Sequence, residues 1–156
     1  MAYRDIHSDI SRLDHLFKVG QNLPREDNEL VTSHWGRYLC ILTSAFIEQS
    51  IKWLFLRYAK ERGNVEVVNC IERYLNGMKS INHPKVIEIA SSFDAELAEN
   101  IEKRTTLEMR EAVNSVVANR HNLAHGKDVG ITFVDMVDYY RDIKNYIKHV
   151  SKAMGF

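Results

Sequence analysis

The chain has 156 residues, of which 45% are hydrophobic and 27% are charged, the profile of a globular protein long enough to bury a core. Its 21 basic and 21 acidic residues leave no formal net charge, which excludes binding to nucleic acid by bulk attraction and requires a local basic surface instead. With only 2 prolines and 7 glycines, the composition favours helices over a fold with many turns.

Apolar residues recur every three to four positions along most of the chain, and this spacing predicts helices. In chain order the first three predicted helices cover residues 4–18, 30–62 and 65 to about 77, and a short helix begins near Pro84. Residues 94–125 are predicted helical with a break near Thr105–Thr106, and the last helix begins at Thr132. Asp135, three residues after Thr132, is typical of a capping box. No segment has a clear strand pattern, so we predict one all-α domain that spans residues 1–156.

The N-terminus and the cysteines predict a cellular location. The first residues, MAYRDIHSDI, lack an apolar signal region, and the most apolar run, YLCILTSAFI, is about ten residues against the ~20 of a membrane span. Cys40 and Cys70 match no metal-ligand spacing, and we expect both to be buried free thiols. These features predict a reduced, cytoplasmic protein with no membrane contact.

The stretch VANRHNLAHGKDVGITF, residues 117–133, places an arginine on an apolar stripe. Arg120 falls between Val117 and Ala124 on the same face of the predicted helix. A guanidinium does not lose its charge, so its burial in a packed seam is costly without a partner or a ligand.

Two histidines follow directly. His121 and His125 are four residues apart and share a helix face, and Gly126 is the expected C-terminal cap. An imidazole titrates near neutral pH, which suits general acid–base catalysis.

These residues allow four interpretations. The arginine could lay its stem on the surface and reach water. The histidines could cap carbonyls at the helix end. They could also bind zinc, although the sequence lacks the glutamate of the metalloprotease motif and a third ligand. In the fourth interpretation the arginine binds a phosphate and a histidine moves a proton.

The segment RHNLAHG, residues 120–126, resembles the R-x4-H motif of the HEPN superfamily. SAFIEQSIKWLF, which contains Glu48, resembles the early long helix of that family. SSFDAELAENI and GITFVDMVDYY resemble the segments that flank the motif in the branch called RiboL-PSP-HEPN. The resemblance covers roughly residues 35–150, most of the chain.

The resemblance implies an up-and-down helical bundle with additional short helices, dimerised through the motif helices. It implies a metal-independent endoribonuclease without a cofactor, which cleaves RNA by 2′-hydroxyl attack at a composite site in the dimer interface. Such enzymes include toxins, which would have a protein antitoxin as partner, and phage-defence effectors. The alternative is an inactive module that binds nucleotide, RNA or a protein partner.

Carried over by residue, Arg120 and His125 are the two defining positions and the candidate catalytic residues. His121 occupies the polar position after the arginine, where it could do chemistry or only hold the helix end, and Glu48 is a further catalytic candidate. We expect Glu48 to neutralise Arg120 if the long helix packs beside the motif helix. Two sets of cations are candidates for holding RNA, with a solvated helix face as the alternative: Arg37, Lys52, Arg57, Lys60 and Arg62 in the first, and Arg141, Lys144, Lys148 and Lys152 in the second.

Overall fold

The computed structural model describes residues 6–23 and 29–156, and within these ranges it contains seven α-helices and no strand. The helices are α1 (Ile6–Gln21), α2 (Glu29–Arg62), α3 (Val65–Gly77), α4 (His83–Phe93), α5 (Ala95–Arg104), α6 (Leu107–Ala124) and α7 (Phe133–Ala153). This architecture confirms the all-α prediction.

Helix α2 is the centre of the bundle and packs against α1, α3, α6 and α7. Its 34 residues make it long and apolar enough to cross a membrane by length and composition, yet 67% of its most apolar window is buried by the other helices. The helix is buried because its apolar side chains are spread around much of its circumference, as Leu39, Ile47, Leu54 and Phe55 show.

Side chains at the helix N-termini fix where most of the helices begin. Each of these side chains accepts a hydrogen bond from a backbone N–H in the first turn of its helix: Asn64 for α3, Asn82 for α4, Asp94 for α5 and Thr106 for α6. The predicted break at Thr105–Thr106 is confirmed, because Thr105 ends α5 and Thr106 begins α6.

The predicted capping box at the start of α7 is also confirmed. Thr132 Oγ1 accepts the Asp135 backbone N–H at 3.1 Å, and Asp135 Oδ2 accepts the Thr132 backbone N–H at 2.9 Å. These bonds fix the start of the helix that follows the motif segment.

The buried side chains among the described residues form one hydrophobic cluster, to which α7 contributes a long stripe. Cys40 belongs to this cluster, and burial raises the pKa of its thiol to about 12. The prediction that Cys70 is buried was wrong. Helix α3 packs mainly against α2 and buries Val68 and Leu75, which leaves Cys70 on its solvent side.

Candidate functional site

The motif helix α6 ends in a Schellman motif made entirely by the backbone. The Lys127 N–H donates to the Asn122 carbonyl at 3.0 Å, and the Gly126 N–H donates to the Leu123 carbonyl at 3.1 Å. Gly126 has φ +68°, which confirms it as the C-terminal cap. The last carbonyls therefore do not need the imidazoles as capping donors, so the capping interpretation loses its basis.

The two imidazoles lie side by side at this end of the helix. His121 and His125 are exposed, and their ring centroids are 4.5 Å apart. Among the described residues no hydrogen bond or ion pair involves either ring, so both are accessible to a ligand.

Arg120 is partly buried on the stripe formed by Val113, Val116 and Val117, as predicted. It has no hydrogen bond or ion pair with any residue of the described ranges. Ala124, expected on the same stripe, is exposed, because α6 ends there and the chain continues through an exposed loop.

Arg120 and His125 project from different sides of α6. Five residues at about 100° each separate them by roughly 140° around the helix axis. One chain thus brings the two histidines together and leaves the arginine on the adjoining, core-facing side.

Glu48 has partners other than the expected Arg120. Its Oε1 accepts a hydrogen bond from Lys52 Nζ at 2.8 Å, and its Oε2 accepts a hydrogen bond from the Ser80 backbone N–H at 3.1 Å. The same Lys52 Nζ donates to the Met78 carbonyl at 2.7 Å. Both carboxylate oxygens are therefore engaged, and the group joins α2 to the α3–α4 connection. Lys52, which the sequence placed among the RNA-holding cations, is only 5% exposed, which corrects that assignment.

A comparison with family models matches residues 3–155 to RiboL-PSP-HEPN. The chain belongs to the RiboL-PSP-HEPN family. No curated protein and no solved structure matches it. The family match covers nearly the whole chain, including the segment RHNLAHG at residues 120–126.

A groove of about 570 Å³ opens beside the motif loop of this HEPN domain, between the start of α2 and residues 128–134. Arg37 lines it and pairs with Asp128 at 2.7 Å through Nη2, while its Nε is buried without a hydrogen-bond partner among the described residues. Arg120 and the two histidines are not among the groove's lining residues. Arg37 is therefore a cation near the motif whose donors are only partly used.

A polar cluster in the interior of the HEPN domain was missed by the sequence analysis. His83 Nδ1 lies 2.8 Å from the Tyr146 hydroxyl, and His83 Nε2 lies 3.2 Å from Glu102 Oε1. Arg110 Nη1 bonds Glu102 Oε2 at 2.8 Å. Desolvation lowers the pKa of His83, with Glu102 opposing that shift, and raises the pKa of Tyr146 well above its usual range.

This cluster joins α4, α5, α6 and α7 around an imidazole that is only 6% exposed. Since a substrate has little access to His83, the cluster is structural. The only local sequence signal of the cluster is the polar start of α4, because Glu102 and Tyr146 lie 19 and 63 residues from His83 along the chain.

Within the described ranges, no group of three or more His, Cys, Asp or Glu side chains is arranged to hold a metal ion. His121 and His125 thus form a pair without a third such group beside them. The zinc interpretation therefore gains no support from the geometry of this HEPN domain.

Proposed function

We propose that this HEPN domain is a metal-independent endoribonuclease whose site is completed by a second copy of the chain. One observation carries the proposal. The motif presents Arg120, a partly buried residue without a hydrogen-bond or ion-pair partner among the described residues, and on another side of the same helix two exposed imidazoles with no structural task. A second chain packed on this helix would draw the Arg120 guanidinium out of water, which is costly unless a ligand or a group of that chain satisfies its charge.

Exposed apolar side chains on α2, the helix that packs against the motif helix, support a dimer. Tyr38 and Ile41 are each 46% exposed although they are large apolar residues, and α2 packs directly against α6. A two-fold axis near these residues would pair each motif helix with its copy. Arg120 of one protomer would then face His125 of its partner across the cleft.

The chemistry follows from the groups present. A histidine removes the proton from the RNA 2′-hydroxyl as the 2′-oxygen forms a bond to phosphorus. The bond from phosphorus to the 5′-oxygen breaks, and a protonated histidine returns a proton to that oxygen. Arg120 donates in a fork to the non-bridging oxygens while negative charge gathers on them. The products carry a 2′,3′-cyclic phosphate and a free 5′-hydroxyl.

Arg37 is suited to hold the RNA backbone as it leaves the cleft. Asp128, its partner, is 88% exposed, so a phosphate can replace that carboxylate at little cost. Replacing Arg37 by glutamine should weaken RNA binding to a similar extent for all sequences. It should also lower the slope of the logarithm of affinity against the logarithm of salt concentration by about one, the share of one phosphate contact. Binding isotherms at several salt concentrations measure both effects, and an unchanged slope would remove Arg37 from the RNA path.

The decisive experiment is cleavage of total RNA in EDTA by the wild-type chain and by its H125A and R120A variants. We expect cyclic-phosphate products from the wild type, a loss of about 10² to 10⁴ in rate for H125A, and about 10² to 10³ for R120A. If RNA binds equally well to all three and none cleaves it, the chain is an RNA-binding HEPN module instead.

Mixing the two inactive variants tests the composite site. Random exchange makes about half of the dimers mixed, and each mixed dimer retains Arg120 on one chain and His125 on the other. Partial recovery of cleavage is expected, and no recovery would contradict a site shared across the dyad. The cellular role that we propose is a cytoplasmic toxin or phage-defence effector, whose expression should slow growth unless His125 is replaced.

A further inference from the structure

A second groove lies at the end of the bundle away from the motif. It has a volume of about 540 Å³ and is formed by α1, the second half of α2 and the second half of α7. Its apolar wall includes Ile10, Trp53, Leu54, Ile147 and Phe156. From Phe133 at the start of α7 to Lys148 in this groove is about 22 Å of helix, so the groove is separate from the candidate RNA site.

The polar edge of this groove is basic. Arg57, Lys144, Lys148 and Lys152 line it, and none of its lining residues within the described ranges is acidic. Lys144 is paired with Asp14 at 2.8 Å, and Arg57 with Glu61 at 3.3 Å. Lys148 and Lys152 have no ion pair with a described residue, and they share a face of α7 with a rise of about 6 Å between them.

We propose that the groove binds a small amphipathic anion, with a phosphate held by Lys148 and Lys152 and an apolar body against Trp53 and Ile147. Two unpaired lysines one turn apart match a doubly charged phosphate better than a single carboxylate. An apolar wall with few polar groups is typical of sites for small ligands, and about 540 Å³ lies within their usual range of volumes.

A small ligand fits this groove better than an RNA strand does. Single-stranded RNA needs free aromatic faces on which its bases stack. The Arg57 guanidinium lies 4.0 Å from the centre of the Phe156 ring and also lies over Trp53 at 5.5 Å, so both rings already have a stacked cation. The proposal does not depend on ribonuclease activity, because the groove and the motif are at opposite ends of α7.

Calorimetric titration of the full chain with octyl phosphate tests the proposal, with octanol and inorganic phosphate as half-ligands. Octyl phosphate should bind saturably, and each half-ligand should bind at least about tenfold more weakly, since each lacks one of the two contacts.

The variant K148Q/K152Q should bind octyl phosphate about tenfold more weakly or worse. The control K79Q/K103Q makes the same charge change on exposed lysines outside the groove, and its affinity for octyl phosphate should be unchanged. Circular dichroism checks that both variants are folded. Equal binding by the two variants, or binding of octanol as tight as that of octyl phosphate, would overturn the proposal. A third result would also overturn it: octyl phosphate fails to bind the wild type, and a short RNA binds K148Q/K152Q more weakly than the wild type. The groove would then be an RNA contact.

Discussion

Replacing Glu48 by alanine tests whether this residue acts in the fold or in the chemistry. The change leaves the Lys52 ammonium, whose side chain is 6% exposed, with the Met78 carbonyl as its remaining partner, and it leaves the Ser80 N–H without an acceptor. Breaking a buried ion pair costs about 3 to 5 kcal/mol. Because Glu48 retains 24% exposure, we expect the lower end, about 3 kcal/mol. In a chain of this length that lowers Tm by roughly 6 to 12 °C.

Urea unfolding of the wild type, E48A and E48L/K52M measures the cost. The double variant replaces both charges by apolar side chains, and it should be more stable than E48A because it has no unpaired buried charge. RNA cleavage per folded molecule should be unchanged in both variants. If E48A is as stable as the wild type, the structural reasoning fails. If E48A is fully folded but inactive, Glu48 belongs to the reaction after all.

Three further changes test the cap, the dimer and the interior cluster. Replacing Gly126 by alanine should lower the free energy of unfolding in urea by about 1 to 2 kcal/mol, because the residue has φ +68° although the added Cβ meets no atom. Gly77→Ala is the control, since Gly77 has the same free space and no positive φ, and it should lower that free energy clearly less. Tyr38→Glu should shift the chain towards monomer in sedimentation, whereas Tyr74→Glu, on an exposed residue of α3, should not; equal effects would place the dimer contact elsewhere. Because burial lowers the pKa of His83 below its ordinary 6.5, the unfolded chain takes up the proton first as pH falls, and stability is lost as pH drops through that value. His83→Gln should remove this part of the loss below about pH 6.5, where it amounts to at most about 1.4 kcal/mol per pH unit. A variant with unchanged pH dependence would refute the assignment.

The helices were predictable because their signals are local. The spacing of apolar residues, the side chain of Thr132 with Asp135, and Gly126 after the motif act within a few residues of where they stand. The exposed Cys70 was not predictable in the same way. The amphipathic pattern of α3 is clear, but which flank meets α2 depends on the packing of a short helix against one neighbour.

The sequence indicates which residues form the candidate site, but it does not indicate the contacts that Glu48 makes. Arg120, His121 and His125 lie within six consecutive positions, so the sequence defines their arrangement on α6. The true partner of Glu48 had one local signal, since Lys52 follows it by four residues on the same face. The Ser80 N–H that completes the group comes from a connection 32 residues away, which no local pattern indicates.

The pairing of polar groups separates the parts that hold this fold from the parts available for function. Glu48 and Lys52 satisfy each other and nearby backbone, and His83 has a partner for each ring nitrogen. Arg120 and His125 have no such partners among the described residues, and the backbone alone caps the helix that carries them. Removing either motif side chain should therefore leave the fold intact, since no hydrogen bond or ion pair with a described residue is lost. Cleavage assays on the R120A and H125A variants therefore test the proposed chemistry separately from the stability of the fold.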